Sequence, residues 1–300
     1  MSTPTLEMKL TPRKDSDCYH AQLNQSTYDI LSLIFEFKIA ASWHIARFLI
    51  QKDQSTYLYR KLRRMWQANL LESFKVFTGS LAGMPVYYVL SQEGLKALEN
   101  KGLYTHEQIR AYPQAKMLLS GSLFKHEAQV VELASMEAKN ASTDLKLSFS
   151  GEISSVARDL KSDTHNIEVF TPDYTVIYAI ADRELTIYTE FERTAKSIKA
   201  MTRKIERYLN HLSHEQRMRV GLRFIFETQA MEQSFWLNMI LSDKSSYVER
   251  IKIMTTNVSL LQTSEQFGEP IYVSKDAVKL TKRNRLAVDI SGRVKLFPSL

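Results

Sequence analysis

Cysteine is almost absent: the 300-residue chain has one, Cys18. That excludes an intrachain disulfide framework and any all-cysteine metal site, and makes a reducing cytoplasm the expected compartment. Long apolar runs are missing too. No stretch approaches the ~18 residues of a membrane helix, and Met1 to His20 has no apolar core of the signal-peptide kind. No membrane partner is expected. Internal repeats and low-complexity tracts are also lacking. Charge of either sign is in modest excess at most. Forty Lys and Arg against 33 Asp and Glu leave a formal +7, compatible with a polyanionic partner but weak support for one. The chain does have 44% hydrophobic residues, enough for a core, and a length that suggests about two domains at ~150 residues each.

Residues 1–24 read as a flexible arm. Thr3, Pro4, Thr11 and Pro12 break periodicity, and Arg13, Lys14 and Asp15 are solvating. Residues 25–102 form a coherent unit. Ile30, Leu31, Ile34, Phe35 and Ile39 recur at helical spacing after the Ser26 or Thr27 cap. A short second helix carries Trp43, Ile45 and Ala46. A third, capped by Ser55 or Thr56, buries Leu58, Leu62 and Met65. Strands over 73–77 and 86–90 flank a glycine-bearing turn, and a last helix runs from Ser91 to Gly102. Three helices, a hairpin and a helix are the order of a winged helix-turn-helix. In such a unit the third helix enters the major groove and the hairpin touches the backbone. The third helix then turns Tyr57, Arg60, Lys61 and Arg64 outward, and Lys75 lies on the hairpin. These are the candidate DNA contacts, arginine suiting guanine edges and lysine suiting phosphates. A merely solvated face, or a protein-interaction module, is the open alternative.

Residues 103–122 read as a linker punctuated by Pro113 and Gly121. From 123 the pattern becomes α/β. A helix over 124–139 carries Glu127 on its apolar face, where an acid needs a partner. Strands follow at 145–149, 170–180 and 185–191, then a helix over 195–212, a strand at 222–227, a helix over 235–241, and a strand within 251–261. A basic tail, 276–300, contains Lys279, Lys282, Arg283, Arg285 and Arg293.

The acids of this second part are suggestive. Asp173 opens one strand after Pro172. Glu190 and Glu192 end the next, two apart and so on one face. Lys196, Lys199 and Lys204 follow closely. Mg²⁺ needs only two or three carboxylates beside water, and one or two such ions neutralise an attacked phosphodiester. Singly, each acid reads as an ordinary exposed residue; together with Glu127 they read as a metal-binding site. Tyr208 lies on the buried stripe and reads as packing. His211 and His214 lack a third ligand at suitable spacing.

The order Pro172-Asp173, a strand pair, then acid-x-acid resembles the PD-(D/E)xK nuclease core. More narrowly, His126-Glu127, Pro172-Asp173, Glu190-Phe191-Glu192-Arg193 and Lys204-Ile205-Glu206-Arg207-Tyr208 resemble, in order, the replication-relaxation family of mobile elements, which overlaps the MobC/TraX-type relaxases. Arg223 to Phe226 and Gly268 to Tyr272 add to the likeness, which covers roughly residues 25–275. The resemblance implies an α/β (α+β) chain: an N-terminal winged helix-turn-helix, then a restriction-endonuclease-like domain over 123–275. It implies Asp173, Glu190 and Glu127 as ligands of Mg²⁺ or Mn²⁺, and Asp173, Glu190, Glu192, Lys204 and Glu127 as the catalytic set. The expected partner is double-stranded DNA at a specific site, nicked at an origin of transfer or replication, with other relaxosome or replication proteins as possible company. One departure stands out. Glu192 occupies the position where the standard nuclease motif has lysine, so a catalytic lysine would come from Lys204, or next from Lys196 or Lys199. The alternatives are a non-catalytic initiator, relaxosome accessory or transcriptional regulator on a degenerate nuclease fold, and an interaction scaffold.

Overall fold

The computed structural model describes residues 7–11, 22–77, 85–141, 145–154, 171–180, 183–241, 247–264, 272–283 and 285–293. The chain is mixed α/β and divides into two units, Met1–Lys139 and Asn140–Leu300. No helix among the described residues is long and apolar enough to cross a membrane.

In the first unit, α1 (Gln25–Phe37) is capped by Asn24, whose side chain accepts from Thr27 N at 3.1 Å. It buries Ile30, Leu31, Ile34 and Phe35. After β2 (Ala40–Ala41) come α2 (Ser42–Ile50) and α3 (Thr56–Gln67), the latter capped by Ser55 and burying Leu58, Leu62 and Met65. The strands β3 (Leu71–Phe77) and β4 (Val86–Leu90) pair antiparallel, and β2 pairs with β4. Helix α4 (Gln92–Asn100) follows. The expected turn between β3 and β4, residues 78–84, lies outside the described residues.

Three expectations need correction here. Residues 7–10 of the supposed arm form β1 (Glu7–Leu10), which pairs antiparallel with β3, because β3 otherwise offers an open edge of backbone donors and acceptors. The supposed linker holds α5 (His106–Ala111) and α6 (Ala115–Leu118), and Tyr112 between them is buried. Its hydroxyl donates to Lys38 O at 2.6 Å and accepts from Leu90 N at 3.1 Å, which ties the segment down. Finally, α7 (Gly121–Lys139) belongs to the first unit and not to the second. Its Phe124 ring packs on Phe74 and Tyr87, and Glu132 accepts from Trp43 Nε1 (3.1 Å), His44 Nε2 (2.7 Å) and Arg47 Nη1 (2.6 Å).

The second unit is built on a six-stranded sheet in the order β10-β9-β8-β7-β6-β5. Strands β5 (Lys146–Gly151), β6 (Tyr174–Ile180) and β7 (Arg183–Glu192) form an antiparallel meander. Next come β8 (Val220–Phe226) and β9 (Lys252–Asn257), parallel to β7. Parallel neighbours need crossovers, supplied by α8 (Ile198–His211) with the short α9 (His214–Arg219), and by α10 (Gln229–Leu241) with α11 (Tyr247–Arg250). Met201, Ile205, Tyr208 and Leu209 of α8, and Phe235, Trp236 and Met239 of α10, pack on Leu222, Phe224 and Phe226. Both helices therefore cover one face of the sheet. The other face carries Arg223, fully buried among Thr189 Oγ1 (2.9 Å), Tyr174 OH (3.0 Å), Tyr272 OH (3.4 Å) and Tyr178 OH (3.5 Å).

The strand expected within 251–261 ends at Asn257, which caps α12 (Val258–Thr263) by accepting from Leu260 N. Strand β10 (Val273–Ser274) then borders β9 antiparallel. The basic tail also needs correction, since β11 (Lys279–Arg283) and β12 (Arg285–Asp289) form a hairpin. Beyond it Arg293 reaches the buried Glu232 of α10 at 2.9 Å. The expectations at 170 and 268–271 lie outside the described residues.

Candidate functional site

Strand register brings the acids together. Tyr174 pairs with Thr189, so Asp173, one residue earlier, falls opposite Glu190. Asp173 Oδ2 accepts from Phe191 N at 2.6 Å, fixing the start of β6 against the end of β7. Glu190 and Glu192 share the face that α8 covers. Ser197 caps α8, and Lys204 and Tyr208, four residues apart, hang over that face. Lys204 Nζ lies between the two carboxylates, 2.6 Å from Glu190 Oε2 and 2.7 Å from Glu192 Oε1. Tyr208 OH donates to Glu190 Oε1 at 2.6 Å. Lys196 Nζ sits 2.6 Å from Glu192 Oε2, an ion pair without hydrogen-bond alignment. Beside it Glu192, Lys196, Ile198 and Phe226 help line a cavity of about 20 Å³, room for roughly one water.

Glu190 and Glu192 are 4% and 1% exposed. Burial pushes Glu190 up to about 7; Lys204 opposes that rise and the neighbouring charge of Asp173 adds to it. Burial works against the charge on Lys204, but Glu190 and Glu192 outweigh it and raise its pKa. Burial first, then Glu190, hold Tyr208 well above the usual phenol range, so it stays protonated at neutral pH. The cluster is thus carboxylates clasped by ammoniums and a hydroxyl.

Of the residues expected as ligands and catalytic groups, Asp173, Glu190, Glu192 and Lys204 come together within the second unit. Glu127 belongs to the other unit of the chain. It lies in the first unit, where Lys38 Nζ donates to its Oε1 at 2.7 Å, and this supplies the partner its buried position requires. Among the described residues no group of three or more His, Cys, Asp or Glu is assembled for a metal. Asp173 and Glu190 nonetheless offer hard oxygen donors on adjoining strands. Oxygen donors of this kind are the ligand type that Mg²⁺ and Mn²⁺ take.

On α3, Tyr57 and Tyr59 are 65% and 56% exposed, and Arg60, Arg63 and Arg64 are exposed beside them. Lys61 departs from expectation. It is half-buried, and its ammonium donates to Asn24 Oδ1 (3.0 Å) and Ser26 Oγ (2.6 Å), bracing the start of α1. Arg63 and Tyr59, which sequence reading passed over, share the outer face; the helical angle from Leu58, Leu62 and Met65 was the signal for both. Lys75 is exposed on β3. Ser42, Trp43, Gln54, Thr56 and Tyr59 border a cavity of about 610 Å³ where α2 and α3 begin. The cluster of Glu132 with Trp43, His44 and Arg47 had no sequence signal, because its partners lie 85 to 89 residues apart. His44 Nδ1 accepts from Ala41 N at 3.1 Å, so its Nε2 carries the proton given to Glu132. Burial keeps that imidazole neutral.

Compared with protein-family models, with curated proteins and with solved structures, the chain matches none.

Proposed function

We propose that the chain is a DNA-processing protein that binds duplex DNA through its first unit and breaks a phosphodiester at the second. The first unit is read as a winged helix-turn-helix whose α3 presents Arg60, Arg63 and Arg64 to DNA, with Lys75 on the hairpin. The second is read as a nuclease-like core of the PD-(D/E)xK kind, in keeping with the resemblance to the replication-relaxation family. The observation that carries this reading is the gathering of Asp173, Glu190 and Glu192 on one sheet face beneath Lys204 of α8. Asp173 and Glu190 would hold Mg²⁺ or Mn²⁺, which when bound supplies charge neutralisation at phosphate and an acidified water. Lys204 brings a positive charge to the same point, Tyr208 orients Glu190, and Lys196 balances Glu192. The DNA would be nicked at an origin of transfer or replication.

A second reading is favoured by a specific observation. Lys204 and Tyr208 occupy both oxygens of Glu190, and Glu192 stands where the nuclease motif has lysine. On that reading the protein is a non-catalytic initiator, relaxosome accessory or regulator. Supercoiled plasmid carrying the cognate site, incubated with the protein and Mg²⁺ or Mn²⁺, separates the two. The first reading expects open circles from the wild type and at least ~10-fold fewer from an Asp173→Ala/Glu190→Ala variant. Equal traces from both reject catalysis, and metal-independent, salt-sensitive binding without nicking selects the second reading.

A further inference from the structure

We propose that Lys204 is a resident counter-ion of the acidic site. It must leave Glu190 before those oxygens can accept a divalent cation, so loading the site and freeing the Lys204 ammonium toward a phosphate are one exchange. The inference rests on the reading of Asp173 and Glu190 as cation ligands.

The geometry points to an exchange in which the lysine moves and the carboxylates stay. Glu190 and Glu192 are on the last residues of β7, which pair with β8 on one side, while on the other Phe191 N donates to Asp173 Oδ2. Glu190 is clasped at both oxygens, Oε1 by Tyr208 and Oε2 by Lys204. Tyr208 is buried and anchored in the core. Lys204 is the looser partner. Its side chain is 23% exposed, against 5% for Glu190, and its ammonium rides on a flexible four-carbon stem. Glu192 is not stranded when Lys204 leaves, because Lys196 remains at its other oxygen. A divalent ion added beside a retained Lys204 would crowd like charges onto one point, which disfavours simultaneous occupancy. The arrangement also gives Glu192 a purpose where the nuclease motif would have lysine: it is the second half of the clasp that stores a lysine delivered from α8.

Only the fraction of molecules with Lys204 swung out is competent to load, and apparent affinity is reduced by that fraction. A competent fraction of about 1–10% hides affinity by roughly 10–100-fold. Mn²⁺ binding to the full chain, read by the electron paramagnetic resonance of free Mn²⁺ at about pH 8, should therefore tighten about tenfold or more in Lys204→Met, while Asp173→Asn abolishes it. Acylation of wild-type Lys204 by acetic anhydride, read by mass spectrometry against the exposed Lys96, should rise severalfold on adding saturating Mg²⁺. Equal Mn²⁺ affinity in wild type and Lys204→Met overturns the exchange but leaves the cation reading standing. Absence of Mn²⁺ binding from wild type and Lys204→Met alike overturns the cation reading and the exchange with it. Should Lys204→Met not fold, the wild-type labelling decides: unchanged Lys204 reactivity in protein that binds Mn²⁺ overturns the proposal.

Discussion

At the scale of single residues, two buried acids each lie beside a lysine ammonium. Glu127 has a lysine within 2.7 Å, and both groups are nearly inaccessible. Removing one partner leaves a charge in the core, which typically costs about 3–5 kcal/mol, whereas replacing both with apolar groups is often neutral. Lys38→Met should therefore lower stability by that order in urea unfolding, and Lys38→Met/Glu127→Leu should recover most of it. Glu190 is raised to about 7, above the ordinary carboxylate value of about 4.3 that it has when unfolded. Between these values the folded state holds a proton that the unfolded state has released, so stability falls as pH rises through this window and levels off above it. The effect is on the order of 4 kcal/mol at most. Thermal melts of wild type should drop between about pH 5 and pH 7.5, and Glu190→Gln should flatten that drop. A Glu190→Gln profile that keeps the wild-type slope would place the titration elsewhere.

At the scale of elements, close packing sets limits that patterning alone does not reveal. Gly94 lies in the first turn of α4, where an added Cβ would come within 2.2 Å of Leu70 O. Leu70 adjoins β3, so neither backbone can yield cheaply. Gly94→Ala should destabilise by about 1–3 kcal/mol or more despite alanine's better helix propensity, as measured by chemical denaturation. The apolar periodicities of α1, α3 and α8 and the pairing of β3 with β4 were legible in the sequence, because those elements bury a stripe or a face set by local spacing. The order of the acids was legible for the same reason: period two put Glu190 with Glu192, and helical spacing put Lys204 near Tyr208. Long-range assignments were not. Nothing local says that β1 closes the edge of β3, or that Lys61 turns back to brace the Asn24 cap of α1. An acid on an apolar stripe needs a partner, and that much of Glu127 was legible. The sequence could not show that the partner is Lys38, 89 residues earlier. In the same way Arg293, 61 residues from Glu232, makes a tail of basic residues part of the fold.

At the scale of the whole molecule, a formal +7 spread over 300 residues does not by itself specify a nucleic-acid partner; the placement of charge must. The outer face of α3 concentrates Arg60, Arg63 and Arg64 between two exposed tyrosines, while Lys61 on the same helix is committed to Asn24 and Ser26. These two kinds of cation should respond differently to removal. Each phosphate contact contributes about −0.9 to the slope of log K against log salt on duplex DNA. If the three arginines meet the backbone, Arg60→Ala/Arg63→Ala/Arg64→Ala should make that slope shallower by about 2–3, as measured by fluorescence anisotropy of a labelled duplex across ~50–200 mM salt. Arginines that instead read base edges would cost about 1–3 kcal/mol each on the cognate site and relax specificity there, with less change on a random duplex. Lys61→Ala should leave the slope unchanged and lower the melting temperature instead, because it removes the brace on the start of α1. A triple variant with wild-type affinity and slope would reduce the α3 face to an ordinary solvated surface. DNA recognition would then have to be sought on another part of the chain.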